Sequence, residues 1–131
     1  MDAASTIQRN KLFCGFSAED TDKAYDFYKN VLGLEVEKGD MSVLTIKANG
    51  DMKAIVYPKP NHVPATYTVL NIPVTDIDKA VDELGEKGIS FLQYDMEQLK
   101  TDAKGIARNT GGPASAWFTD PSGNIIGLMQ V

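Results

Sequence analysis

The sequence predicts an α+β fold of two βαβββ modules, packed as one domain with a concave mixed sheet. Three observations predict it. The phrase DxDKAxD occurs twice, at Asp20–Asp26 and Asp76–Asp82, offset by 56 residues. Each copy carries apolar residues at helical spacing and follows a run of period two. Each is then followed by further strand-like runs divided by turn signals.

In the first module (11–58) the elements follow in order. KLFCGFSA (11–18) alternates as a half-buried strand, with Leu12, Cys14, Phe16 and Ala18 on the helix-facing side. A helix then places Ala24, Phe27, Tyr28, Val31 and Leu32 in one apolar stripe. Asp20 and Asp22 suit the positive end of its dipole, and Gly33 stops it. LEVEK (34–38), SVLTIKA (42–48) and MKAIVYP (52–58) follow as strands. Asn49-Gly50, between the last two, is a strong hairpin signal.

PKPNHVPA (58–65), with three prolines, is the linker. The second module (66–131) opens with the strand YTVLNIPV (67–74). Its helix carries Ile77, Ala80, Val81 and Leu84, with Thr75 or Asp76 as cap and Gly85 or Gly88 as stop. Strands are expected at ISFLQ (89–93), ASAWFT (114–119) and NIIGLMQ (124–130). Asp120-Pro121-Ser122-Gly123 has the residue preferences of a type I turn. Neither module alone buries enough surface for stability, so one domain over 1–131 is expected.

The repeat also predicts which residues face away from the helices. The 56-residue offset pairs Phe13 with Val69. Matching Gly50 to Gly123, an offset of 73, pairs Met52, Ala54 and Val56 with Ile125, Gly127 and Met129. The growth from 56 to 73 places an inserted loop of 17 residues within 94–113. The expected ligand pocket is Phe13, Met52, Tyr67, Val69, Asn71, Met129 and Trp117 or else Phe118, with Arg108 and Lys104 reaching over it from the insertion.

Composition narrows the function. A net charge of −5 argues against nucleic acid. Cys14, the single cysteine, allows no internal disulfide and suits a reducing, cytoplasmic setting. Its apolar neighbours Leu12, Phe13 and Phe16 predict a buried, inert side chain. The N-terminal MDAASTIQRNK holds no signal-peptide run, and no stretch is long and apolar enough for a membrane helix.

FYKNVLGLEV (27–36) and WFTDPSGNIIGLMQ (117–130), with the repeat, resemble the vicinal oxygen chelate superfamily of glyoxalases, extradiol dioxygenases and fosfomycin- and bleomycin-resistance proteins. The resemblance implies a concave space that holds a divalent metal in the family's enzymes. Carried over, its ligand positions are Phe13, Ala54, Val69 and Gly127; the commonest closing motif has Glu where Gly127 stands. None of the four supplies a donor for such a cation. His62, the only histidine, falls in the linker and reads as a solvated side chain. The expectation is therefore a protein without metal or other cofactor that binds a small cationic or aromatic molecule, a drug or metabolite, and sequesters it. The alternative is a glyoxalase- or dioxygenase-like enzyme with a divergent site. The resemblance also implies a homodimer.

Overall fold

The computed structural model describes residues 5–108 and 111–131. Residues 109 and 110 of the expected insertion, and 1–4 of the N-terminus, lie outside the described residues. The chain divides into two compact units, Met1–Pro60 and Asn61–Val131. The boundary falls within the proline-rich linker.

Unit 1 runs β1 (Cys14–Ala18), α1 (Thr21–Asp26), a wider helical turn (Phe27–Val31), β2 (Glu35–Lys38), β3 (Leu44–Ala48) and β4 (Asp51–Pro58). Asp20 caps α1: its carboxylate accepts the Asp22 and Lys23 N–H groups. In the wider turn the Leu32 N–H donates to Phe27, five residues back, before Gly33 ends the helix at φ +74°. The sheet order is β1-β4-β3-β2, with β1 and β4 parallel. Asn49 and Gly50 both take positive φ, 52° and 81°, which the tight β3–β4 hairpin requires. Phe16, Leu44, Ile46, Ala54 and Val56 are buried. Phe16 meets the Tyr28 ring of the wider turn edge-on at 6.1 Å, so this is the helix-covered face.

Three expectations for unit 1 need correction. Leu12 and Phe13 precede β1 and are exposed, and Cys14 is exposed; burial on this strand starts at Phe16. Ala54 and Val56 do not face away: Val56 pairs with Phe16 and Leu44 on the helix-covered face. The turn-based match had slipped by one residue. Phe16, Val56 and Leu44 correspond to Ile72, Leu128 and Ala116 of unit 2, so Gly127 matches Ile55.

Unit 2 runs β5 (Thr68–Val74), α2 (Ile77–Glu86), β6 (Asp95–Met96), β7 (Leu99–Lys100), β8 (Ile106–Ala107), β9 (Ser115–Thr119) and β10 (Ile125–Gln130). The sheet order β5-β10-β9-β8 repeats that of unit 1, and again the first pair is parallel. Asp76 caps α2 by accepting the Lys79 N–H. Ile77 and Val81 of α2 are buried, as are Ile126, Leu128, Ala116 and Phe118 of the sheet.

The segment 89–93 is not a strand. The insertion supplies the edge strand instead: Ile106 and Ala107 pair with Ala116 and Ser115. Leu92 adds one bond, its N–H to the Trp117 carbonyl, while Phe91 turns inward edge-on to Phe118 at 5.6 Å. The two segments thus divide the β9 edge between them. Another part of the insertion, Asp95–Met96 with Leu99–Lys100, forms the β6–β7 hairpin.

The Asp120 turn closes β9 onto β10. Gly123 N–H donates to the Asp120 carbonyl at 3.0 Å, the closure expected of that turn. The buried Asp120 carboxylate accepts the Ser122 and Asn124 N–H groups and the Asn124 side-chain amide. His62 is half-buried here and not freely solvated: its Nε2 lies 3.0 Å from the Ser122 carbonyl, which can only accept. Among the described residues, no helix is long and apolar enough to cross a membrane.

Candidate functional site

The open face of the unit 2 sheet carries a candidate site. A hollow of about 310 Å³ is lined by Thr66, Tyr67, Thr68, Tyr94, Met96, Leu99, Trp117 and Ile125. Strand alternation explains Trp117: Phe118 and Ala116 point to the helix side, so Trp117 between them points away. Phe118 is fully buried, which settles the choice between the two aromatic residues. The Tyr94 ring stands edge-on to Trp117, 5.5 Å between centroids and 89° between planes. That is a favoured aromatic arrangement, and it leaves the Trp117 ring braced on one side.

A β-bulge shapes one wall. Ile125 pairs with Thr68 but Ile126 pairs with Leu70, so Val69 is the extra residue. The bulge turns Thr68 onto the open face, where its methyl carbon lies 3.3 Å from the place a Gly127 Cβ would occupy. Three of the other wall residues, Tyr94, Met96 and Leu99, come from the insertion. Tyr94 is held by the Thr101 hydroxyl, which accepts its N–H at 2.8 Å.

The expected pocket residues are placed as follows. Tyr67, 70% exposed, and Trp117 line the hollow of unit 2. Asn71 lies beside it on β5, Val69 is half-buried at the bulge, and Met129 is half-buried further along β10. In unit 1, Phe13 is exposed ahead of β1. Met52 lines a smaller hollow of about 200 Å³ with Asn10, Lys11, Gly50, Asp51 and Lys53. Tyr94, Met96, Leu99, Thr66, Thr68 and Ile125 complete the unit 2 hollow and were missed.

Arg108 and Lys104 are engaged elsewhere. Arg108 contacts Asp78 of α2 at 2.7 Å and Asp102 at 3.2 Å. Lys104 contacts Asp82 at 3.0 Å and Asp78 at 3.2 Å. These side chains clamp the insertion to the first turns of α2, and neither lines the hollow. The Arg108 and Lys104 hydrogen bonds hold the Asp78 carboxyl below the usual carboxylate range. Burial pushes Asp102 up, but the Ile106 N–H, Arg108 and the Lys104 N–H outweigh it and bring it down. Both cations are correspondingly raised, Arg108 chiefly through Asp78 and Lys104 chiefly through Asp82. Exposed pairs are individually weak, so the clamp depends on their acting as a network.

The residues at the implied metal positions do not fit a metal. Phe13, Ala54, Val69 and Gly127 carry no donor side chain, nor does Ile55, the residue the register matches to Gly127. Among the described residues, no group of three or more His, Cys, Asp or Glu is placed to hold an ion. At Gly127 the space where a side chain would start is taken: the Asn71 carboxamide oxygen lies 2.6 Å from it.

Comparison with known proteins adds to this geometry. The profile of the Glyoxalase/Bleomycin resistance protein/Dioxygenase superfamily matches residues 13–128. A search of curated protein sequences finds no match. Among solved structures, TnmS3, an antibiotic binding protein from Streptomyces sp. CB03234, has a TM-score of 0.64 at 25% identity, covering 99% of this chain and 98% of that one. A glyoxalase/bleomycin resistance protein/dioxygenase superfamily member from Sphaerobacter thermophilus DSM 20745 has a TM-score of 0.62 at 24% identity, covering 92% and 97%. The fosfomycin resistance protein FosX from Listeria monocytogenes has a TM-score of 0.67 at 13% identity, covering 92% and 91%. The last two likenesses concern the fold alone.

Proposed function

We propose that this chain, which belongs to the Glyoxalase/Bleomycin resistance protein/Dioxygenase superfamily, binds a small aromatic molecule in the unit 2 hollow and holds it unchanged, without a metal ion. One observation carries the reading: Tyr67, Tyr94 and Trp117 line an open hollow together with Met96, Leu99 and Ile125, and no ionisable acid or base other than the two tyrosines is among its walls. Such a site offers ring faces and apolar area, and it lacks an acid–base pair for catalysis at neutral pH. Support also comes from the likeness to TnmS3, an antibiotic binding protein. The donor-free side chains at the implied metal positions favour binding without an ion. The chain is expected to work in the cytoplasm as a homodimer.

Trp117 is the only tryptophan, so its emission reports this site directly. Titration with a panel of aromatic and cationic compounds, including bleomycin-type drugs, is expected to quench or shift it, with the bound compound recovered intact by mass spectrometry. Recovery of a converted product would overturn sequestration. One tightly bound metal ion per purified chain would overturn the metal-free reading.

A further inference from the structure

Asn71, Gly127 and Trp117 form one row across β5, β10 and β9: Gly127 pairs with Asn71 on one side and Trp117 on the other. The middle member has no side chain, and the Asn71 carboxamide leans into the space over its backbone. From the point where a Cβ would stand, the Asn71 carboxamide oxygen is 2.6 Å away and Trp117 Cδ1 is 3.4 Å away. Cδ1 is bonded to the indole nitrogen, which places the N–H beside the same row.

Both polar groups are uncommitted. Among the described residues of unit 2, neither the Asn71 carboxamide nor the Trp117 indole N–H has a hydrogen-bond partner. Every buried side-chain nitrogen or oxygen among the described residues does have one, so the indole N–H reaches solvent. Asn71 is exposed. The indole only donates, whereas a carboxamide both donates and accepts. Of the remaining walls, Tyr67, Tyr94, Met96, Leu99 and Ile125 are aromatic or apolar, and Thr66 and Thr68 add a hydroxyl each.

We propose that this row is the polar end of the hollow and selects a neutral planar ring that carries a carbonyl oxygen beside an N–H or O–H, in preference to a plain hydrocarbon ring or a cation. The carbonyl accepts from the Trp117 indole, and the adjacent donor meets the Asn71 oxygen. No carboxylate lines the hollow to neutralise a cation. Gly127 is required because any larger residue would displace the Asn71 carboxamide. This inference rests on the reading of the hollow as a ligand site and adds the chemistry of its ligand.

The test uses the full chain labelled with ¹⁵N and three probes of equal ring size: naphthalene, 2-quinolone and N-methylquinolinium. A net hydrogen bond of about 1 kcal/mol corresponds to roughly fivefold in affinity, so 2-quinolone is expected to bind at least about fivefold more tightly than naphthalene. The single indole N–H resonance should move downfield with 2-quinolone only. Asn71→Leu and Gly127→Ala should each lower the preference for 2-quinolone by roughly fivefold, the loss of one hydrogen bond, while the Trp117 bond and naphthalene binding persist. The atom that a new Cβ at this glycine would meet most closely is the mobile end of Asn71, so the sheet tolerates the change. Should Gly127→Ala fail to fold, Asn71→Leu at its exposed position decides alone. Equal affinities in the native protein, a preference that Asn71→Leu leaves undiminished, or tighter binding of the cation overturns the inference and leaves the aromatic hollow standing. Failure of all three probes to bind overturns both.

Discussion

Replacing Gly105 by alanine should be the most damaging methyl addition in unit 2. Gly105 is buried in the insertion at φ +85°, and its N–H closes a turn on the Asp102 carbonyl. A left-handed conformation costs a residue with a Cβ roughly 1–2 kcal/mol. The new Cβ would also lie 2.8 Å from Phe91 Cβ and 3.2 Å from the Leu92 carbonyl. Neither is a flexible side-chain end, so backbone must move, and such overpacking costs about 1–3 kcal/mol. The sum is about 2–5 kcal/mol. For a chain of this length each kcal/mol lowers the melting temperature by roughly 3–5 °C, so a drop of at least about 6 °C is expected by calorimetry or circular dichroism. The control is Gly85→Ala. Gly85 is exposed within α2 with nothing within 4 Å of a new Cβ, and the change should stabilise by about 0.5–1 kcal/mol. A Gly105→Ala melting point within about 2 °C of the native one would refute the packing argument. Because Phe91 and Leu92 lead directly to Tyr94, the same variant should weaken ligand binding.

Three further outcomes are expected. Asp78 and Asp102 have folded-state pKa values lowered by their partners, so the clamp contributes fully above the ordinary aspartate value near 4 and is lost as pH falls through the folded values. The native melting temperature should therefore drop more steeply on acidification below about pH 4 than that of Asp78→Asn, and parallel curves would refute the clamp. Met96 is 53% exposed on the hollow wall, so Met96→Asp should cut aromatic-ligand affinity about tenfold or more while the melting temperature stays put; unchanged affinity would show that this wall makes no contact. Cys14 is exposed, so a thiol reagent such as DTNB should modify the native protein as fast as the urea-unfolded chain; strong protection would refute its exposure.

Sequence made much of the scaffold legible because its signals are local. The acidic start of α1 at Asp20, the cap of α2 at one of Thr75 and Asp76, the Asn49-Gly50 hairpin and the Asp120 turn each act through bonds to residues a few positions away, and each is found, with Asp76 as the α2 cap. The sequence narrowed the β9 aromatic to Trp117 or Phe118, and only the burial of Phe118 distinguishes them. The misses along the strands share one cause: a departure from regular period. The bulge at Val69 turned Thr68 onto the open face, and a second irregularity between Ile46 and Lys47 accompanies the slip at Ala54. Tyr94, Met96 and Leu99 sit in a segment without periodicity, where only tertiary contacts fix direction. Arg108 and Lys104 could not be placed because their partners Asp78 and Asp82 are more than twenty residues away in sequence.

The Asp120 turn has a consequence for the order of assembly. β9 and β10 are joined by five residues whose bonds converge on one carboxylate, whereas β5 must cross some fifty residues to reach β10. Closing the longer loop costs more chain entropy. The β9–β10 hairpin should therefore be the nucleus, with β8 zipping onto one edge and β5 arriving last on the other. Trp117 would then be in position early, and the Asn71 end of the row would be the last part of the site to exist.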